Sequence, residues 1–185
     1  MNRRDALRNL ALLTGGMILV PSCDFSQEEV LKAYDNLEVT PTQSQMLGLV
    51  ADTIIPPSDI KGAADLSVQD FILVMVNDCM MPEQQQEFSK GLKDFNSYSK
   101  KTGGKAFAKL DPADREKVIL AGMDVEDEDK LHIQRFLQTT KRFTIQGFMV
   151  SEYMMTEVTQ YSLIPGTYQG DVLIANLNPE TKIHG

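Results

Sequence analysis

Residues 40–57 read TPTQSQMLGLVADTIIPP, and they hold a whole helix with its own start and stop. Thr40 is a helix N-cap. Pro41 fits the first helical position, where its missing N–H is no loss, and Gln43 closes a capping box back onto Thr40. Met46, Leu49, Val50 and Ile54 then recur at helical spacing. Pro56-Pro57 ends the run, because the residue before a proline is pushed out of the α region.

The same grammar repeats toward the C-terminus. Ser58 to Ala64 is a loop containing Gly62. Leu66 to Met81 is apolar on nearly every face; a buried strand is one reading, but the length favours a central helix. Pro82 opens a helix to Lys101 with Phe88, Leu92 and Phe95 on one stripe, and Thr102-Gly103-Gly104 stops it. Asp111 caps the next helix, with Pro112 first and Val118 and Ile119 inward. Asp124 to Asp129 is an acidic cluster at a helix start, where the macrodipole favours negative charge. Its spacing and lack of a central glycine do not fit an EF-hand calcium loop. Leu131, Ile133, Phe136, Leu137, Thr140, Phe143 and Ile145 predict a helix packed on the core. Gly147 either interrupts that helix or permits a close approach. Ser151 to Tyr161 predicts a shorter helix, with Met154-Met155 as core filler. Ile164-Pro165-Gly166-Thr167 has the chemistry of a type II turn. Tyr161 and Tyr168 flank it, either as an internal clamp or as a surface facing a partner, a setting in which aromatic residues are enriched.

The fold class expected is all-α: a single compact domain of about six helices, the size that the chain length favours. The helical domain spans 41–185. Residues 23–40 are a tether or a first helix, and 1–22 are an export leader. The leader reads MNRRDALRNLALLTGGMILVPS, with Arg3-Arg4 ahead of a short, weakly apolar stretch. That stretch falls short of the roughly 20 apolar residues of a membrane span, and the arginine pair points to the twin-arginine export route for folded proteins. Val20-Pro21-Ser22-Cys23 resembles a lipoprotein processing box, although Pro21 departs from the usual pattern. Either Cys23 carries lipid, or cleavage near Ser22 leaves it free.

Removing the leader's +2 from the chain's net charge of −8 leaves −10 for the remainder. An acidic body argues against nucleic acid, whose phosphates require clustered Lys and Arg, and against adhesion to anionic lipid by charge. The cysteines are Cys23 and Cys79, and the histidines are His132 and His184. Cys79 lies in an apolar run and is expected to be buried. Haem c attachment would need Cys-x-x-Cys-His, which does not occur, and two distant histidines argue against a transition-metal site. Neither glycine pair follows a strand, so there is no dinucleotide fingerprint.

Three segments in order resemble the gluconate 2-dehydrogenase subunit 3 family, the small subunit of membrane-associated flavoprotein dehydrogenases. They are Ala51–Pro57 with Gly62-Ala63 and Val68–Ile72; Phe107–Arg115; and Thr144–Glu152 leading to Tyr161 and Pro165–Gly170. The leader belongs to the pattern. Phe148 stands where tyrosine is common, and Met154-Met155 where glycine is frequent.

The resemblance implies an all-helical subunit with no catalytic, cofactor-binding or metal-binding residues of its own. It implies a large FAD-dependent sugar or polyol dehydrogenase of the glucose-methanol-choline type as partner, and often a cytochrome c, carrying haem c, as a third subunit. The small subunit would supply the export signal (Arg3, Arg4) and hold the complex at the periplasmic face of the membrane, with lipid on Cys23. Tyr161, Pro165, Gly166 and Tyr168 are the candidate partner contacts. Two other readings compete. One is a self-contained enzyme using His132 with Glu128 or Asp129, three or four residues away on one helical face; that pairing more commonly forms a surface ion pair. The other is a stand-alone envelope lipoprotein with an unrelated partner.

Overall fold

The computed structural model describes residues 34–159, which form five α-helices and a short π-helix with no strand among them. The α-helices are α1 (Pro41–Ile54), α2 (Val68–Cys79), α3 (Pro82–Gly103), α4 (Pro112–Met123) and α5 (Leu131–Met149). The π-helix is Met154–Val158, and single 3-10 turns precede α2, α4 and α5. None of these helices is long and apolar enough to cross a membrane.

The local signals act where the sequence puts them. Thr40 and Gln43 form the capping box of α1: the Gln43 N–H donates to Thr40 Oγ1, and the Thr40 N–H to Gln43 Oε1. Asp111 accepts from the Asp114 N–H at 2.9 Å at the start of α4. Gly104, at φ 76°, ends α3 in the left-handed conformation that costs glycine least. The apolar run at 66–81 is a helix over Val68–Cys79, preceded by the 3-10 turn Ala64–Leu66.

α5 is the axis of the body. It packs most extensively on α3, and also against α1, α2 and α4. Where α3 meets α5 the core is aromatic. Phe95 lies 5.0 Å from Phe107 and 5.4 Å from Phe136, and Phe88 lies 5.2 Å from Phe136, all in tilted arrangements. Tilted packing sets ring edges against ring faces and adds about 0.5–1.5 kcal/mol per pair beyond burial. Farther along α5, a Cβ on Gly147 would lie 2.6 Å from Phe71 Cδ1. Gly147 therefore does not break α5; it lets α2 approach closely.

Two expectations need correcting. Cys79 is exposed, not buried. It is the last residue of α2, beyond Val76 and Asn77, the last residues of that helix that the core covers. Ile145 is 44% exposed. The inward face of α5 runs through Phe143, Thr144, Gly147 and Phe148, which puts Ile145 on the opposite side. Thr144 and Thr140 are fully buried instead, and neither hydroxyl has a hydrogen-bond partner among the described residues.

The described end of the 23–40 segment is a turn held against α2. Tyr34 and Leu37 are buried. The Asn36 N–H donates to Asn77 Oδ1 at 3.0 Å, and Asn36 Nδ2 donates to the Asn77 carbonyl at 3.1 Å. Burial, then the Asp70 and Asp78 carboxylates, push the Tyr34 phenol above its ordinary pKa. Burial also raises the Asp70 carboxyl.

Candidate functional surfaces

The enzyme reading depends on His132 and an acid from its own helix start. The acid that meets it is neither Glu128 nor Asp129. His132 Nε2 lies 3.1 Å from Asp94 Oδ2, on α3, and the imidazole is mostly buried. Glu128 and Asp129 belong to the 3-10 turn before α5, which breaks the continuous helical spacing assumed for them. Asp129 does line the same open groove of about 360 Å³, together with Asp94, Tyr98, Lys101 and His132. No hydroxyl or thiol is hydrogen-bonded to His132 among the described residues, so no nucleophile–base pair is assembled. The contact is a polar tie between two helices.

More ties finish this end of α5. Lys130 Nζ lies 2.6 Å from Asp127 Oδ2, and Arg135 pairs with Glu87 on α3. Asp127 also caps the 3-10 turn by accepting from the Asp129 N–H. The Lys130 hydrogen bond, followed by that backbone bond, lowers the Asp127 pKa below the usual carboxylate value. The acidic cluster thus works as a helix start that neutralises part of its own charge.

The opposite end of α5 is built differently. The loop after α1 leaves Pro56 to Lys61 exposed as six consecutive residues. Its neck is closed by the Ala63 N–H donating to the Ile55 carbonyl at 2.9 Å. Inside the loop the Ser58 N–H donates to the Ile60 carbonyl, and the Gly62 N–H to Asp65 Oδ2, both at 2.9 Å. A Cβ on Gly62 would come within 2.6 Å of the Pro57 nitrogen, so a side chain would force the neck open. Ser67 then takes a left-handed conformation (φ 50°) to enter α2.

The end of α5 and the π-helix lie against this loop. Lys61 Nζ sits 4.9 Å from the centre of the Tyr153 ring, a cation–π contact. Lys61 and Leu66 face Ser151, Glu152, Tyr153 and Glu157 across an open groove of about 390 Å³. The π-helix is locked at its end, where both the N–H and the hydroxyl of Thr159 donate to the Met154 carbonyl at 2.8 Å. Short π-helical segments recur at functional sites.

The gluconate 2-dehydrogenase subunit 3 family model matches residues 41–166. The chain belongs to that family. The match runs from the first residue of α1 through the π-helix and beyond the described residues. No curated protein and no solved structure matched the chain. Membership in a subunit 3 family makes the chain one part of a multi-subunit dehydrogenase.

Arg3, Arg4, Cys23, Tyr161, Pro165, Gly166 and Tyr168 lie outside the described residues. What sequence reasoning missed is the meeting of the 55–63 loop with the 149–158 segment. The signal was there in the proline pair with Gly62 five residues on, but nothing in sequence says which distant segment such a loop will touch.

Proposed function

We propose that this chain is the non-catalytic small subunit of an FAD-dependent sugar or polyol dehydrogenase. It binds the folded flavoprotein and, through Arg3 and Arg4, takes it across the membrane by the twin-arginine route. It then helps hold the complex at the periplasmic face, with lipid on Cys23. A cytochrome c completes the electron path as a third subunit.

The observation that carries this reading is the subunit 3 match over residues 41–166. The leader supports the escort role, because the arginine pair is a signal for folded export. The His132–Asp94 contact supports a chain without chemistry of its own, because it ties helices together without addressing a nucleophile.

Fractionation of cells carrying Arg3→Lys/Arg4→Lys tests the escort. Both this chain and the flavoprotein should remain in the cytoplasm. Normal delivery of the flavoprotein to the envelope in that mutant would contradict the proposal. Fatty-acid labelling of wild type and Cys23→Ser tests the anchor: label on the first and none on the second is expected, and an unlabelled wild type would remove the lipid from the account.

A further inference from the structure

We propose that the surface formed by the 55–63 loop, the C-terminal end of α5 and the π-helix is where this subunit docks the flavoprotein, and that the flavoprotein meets it with apolar side chains ringed by Lys or Arg. This rests on the accessory-subunit reading above.

Apolar exposure is concentrated here. Among the described residues eight large apolar side chains are exposed, and five of them, Ile60, Ile145, Met149, Val150 and Val158, belong to these segments. Met149 is 50% and Val150 56% exposed. Scattered single apolar residues are ordinary on a surface; clustering of them marks contact sites. Ile145 and Met149 are one turn apart, so they share one face of α5.

Charge selects the partner. Asp59 and Asp65 are in or beside the loop, and Asp52 lies under Gly62. Glu152 and Glu157 line the groove. None of these five carboxylates pairs with a cation among the described residues. Lys61, the cation in the groove, lies on the Tyr153 ring. Exposed apolar side chains on segments that also carry unpaired carboxylates complement an apolar face ringed by basic side chains. The loop is also closed by three internal hydrogen bonds before any partner arrives, so little ordering remains to oppose binding.

The test uses the full chain, tagged and co-produced with the flavoprotein subunit, with bound flavin per chain as the readout. Wild type should retain flavin. Met149→Asp/Val150→Asp and Glu152→Lys/Glu157→Lys should each lower retention by about tenfold or more, the loss expected when central contacts of an interface are removed. Leu120→Asp, an exposed apolar site on α4, should leave it unchanged. Association should slow as salt rises, because opposite charges are being screened. Retention by both double variants would overturn the surface and leave the subunit reading standing. No flavin on the wild type would overturn the subunit reading itself. A lower melting temperature of the isolated double variants with unchanged flavin retention would mean that the chain's own remaining residues cover the patch, and would also overturn the proposal. Association that quickens with salt would exclude a basic partner.

Discussion

At the start of α5, Lys130, His132 and Arg135 each hold a carboxylate, and the aromatic side chains of α3 close over the helix. At its other end Met149 and Val150 are exposed, and the chain just beyond them meets the locked 55–63 loop where Lys61 lies on Tyr153. One helix thus has an end tied down by paired side chains and an end where exposed apolar side chains gather. Selection for stability alone would finish both. The asymmetry teaches that a subunit can be read from what its fold leaves unfinished as well as from a catalytic group.

The contrast can be strained from the completed end first. Phe136 is fully buried between Phe88 and Phe95. Phe136→Ala should lower stability by about 3–5 kcal/mol, the range for deleting a large buried aromatic. Urea denaturation checks this, and a loss under 1 kcal/mol would mean that the aromatic cluster does not anchor α5. At the other end, Gly147→Ala pushes a methyl into the Phe71 ring. A loss of about 1–3 kcal/mol is expected for such overpacking, with weakened docking, because the position of α2 and α5 shifts together. A neutral result would show that Phe71 swings aside freely and that this end is loosely packed.

The helices were largely legible in sequence because their signals are local. Thr40 with Gln43, Asp111 with Pro112, and Gly104 act within a few residues of themselves, and each is seen in its expected role. Side-chain fate was harder. Cys79 closes an apolar run and Ile145 lies in an amphipathic helix, and composition cannot tell the covered face or the covered stretch of a helix from the rest. The partner of His132 was missed for a related reason. A search along the sequence offers Glu128 and Asp129, while the acid that arrives, Asp94, is on another helix and is brought in by packing. The 55–63 loop was visible as a loop, yet its role as part of a surface depends on Lys61 reaching Tyr153 across ninety residues.

Thr140 sharpens the comparison at the middle of α5. Its buried hydroxyl has no partner among the described residues, so Thr140→Val should raise stability by about 1 kcal/mol, the order of an unmet buried polar group. Destabilisation instead would reveal a hydrogen bond that the hydroxyl makes in solution. The smallest effect belongs to Asp127. Its pKa is lowered in the fold by Lys130 and by the Asp129 N–H. A lowered folded-state pKa gives stability that is present above the unfolded carboxylate value and is lost as pH falls through the folded one. Asp127→Asn should therefore lose a little stability at neutral pH, little because both partners are exposed, and none at low pH, so that the acid limb of the stability profile flattens slightly. An unchanged acid limb would show that the pair contributes nothing.

Hydrogen–deuterium exchange of the full chain, alone and bound to its flavoprotein, tests the difference between the two ends of α5 most directly. Binding should slow exchange across residues 55–63 and 145–158 and leave 127–135 as it was. Protection at 127–135, with none in the loop or the π-helix, would contradict the account.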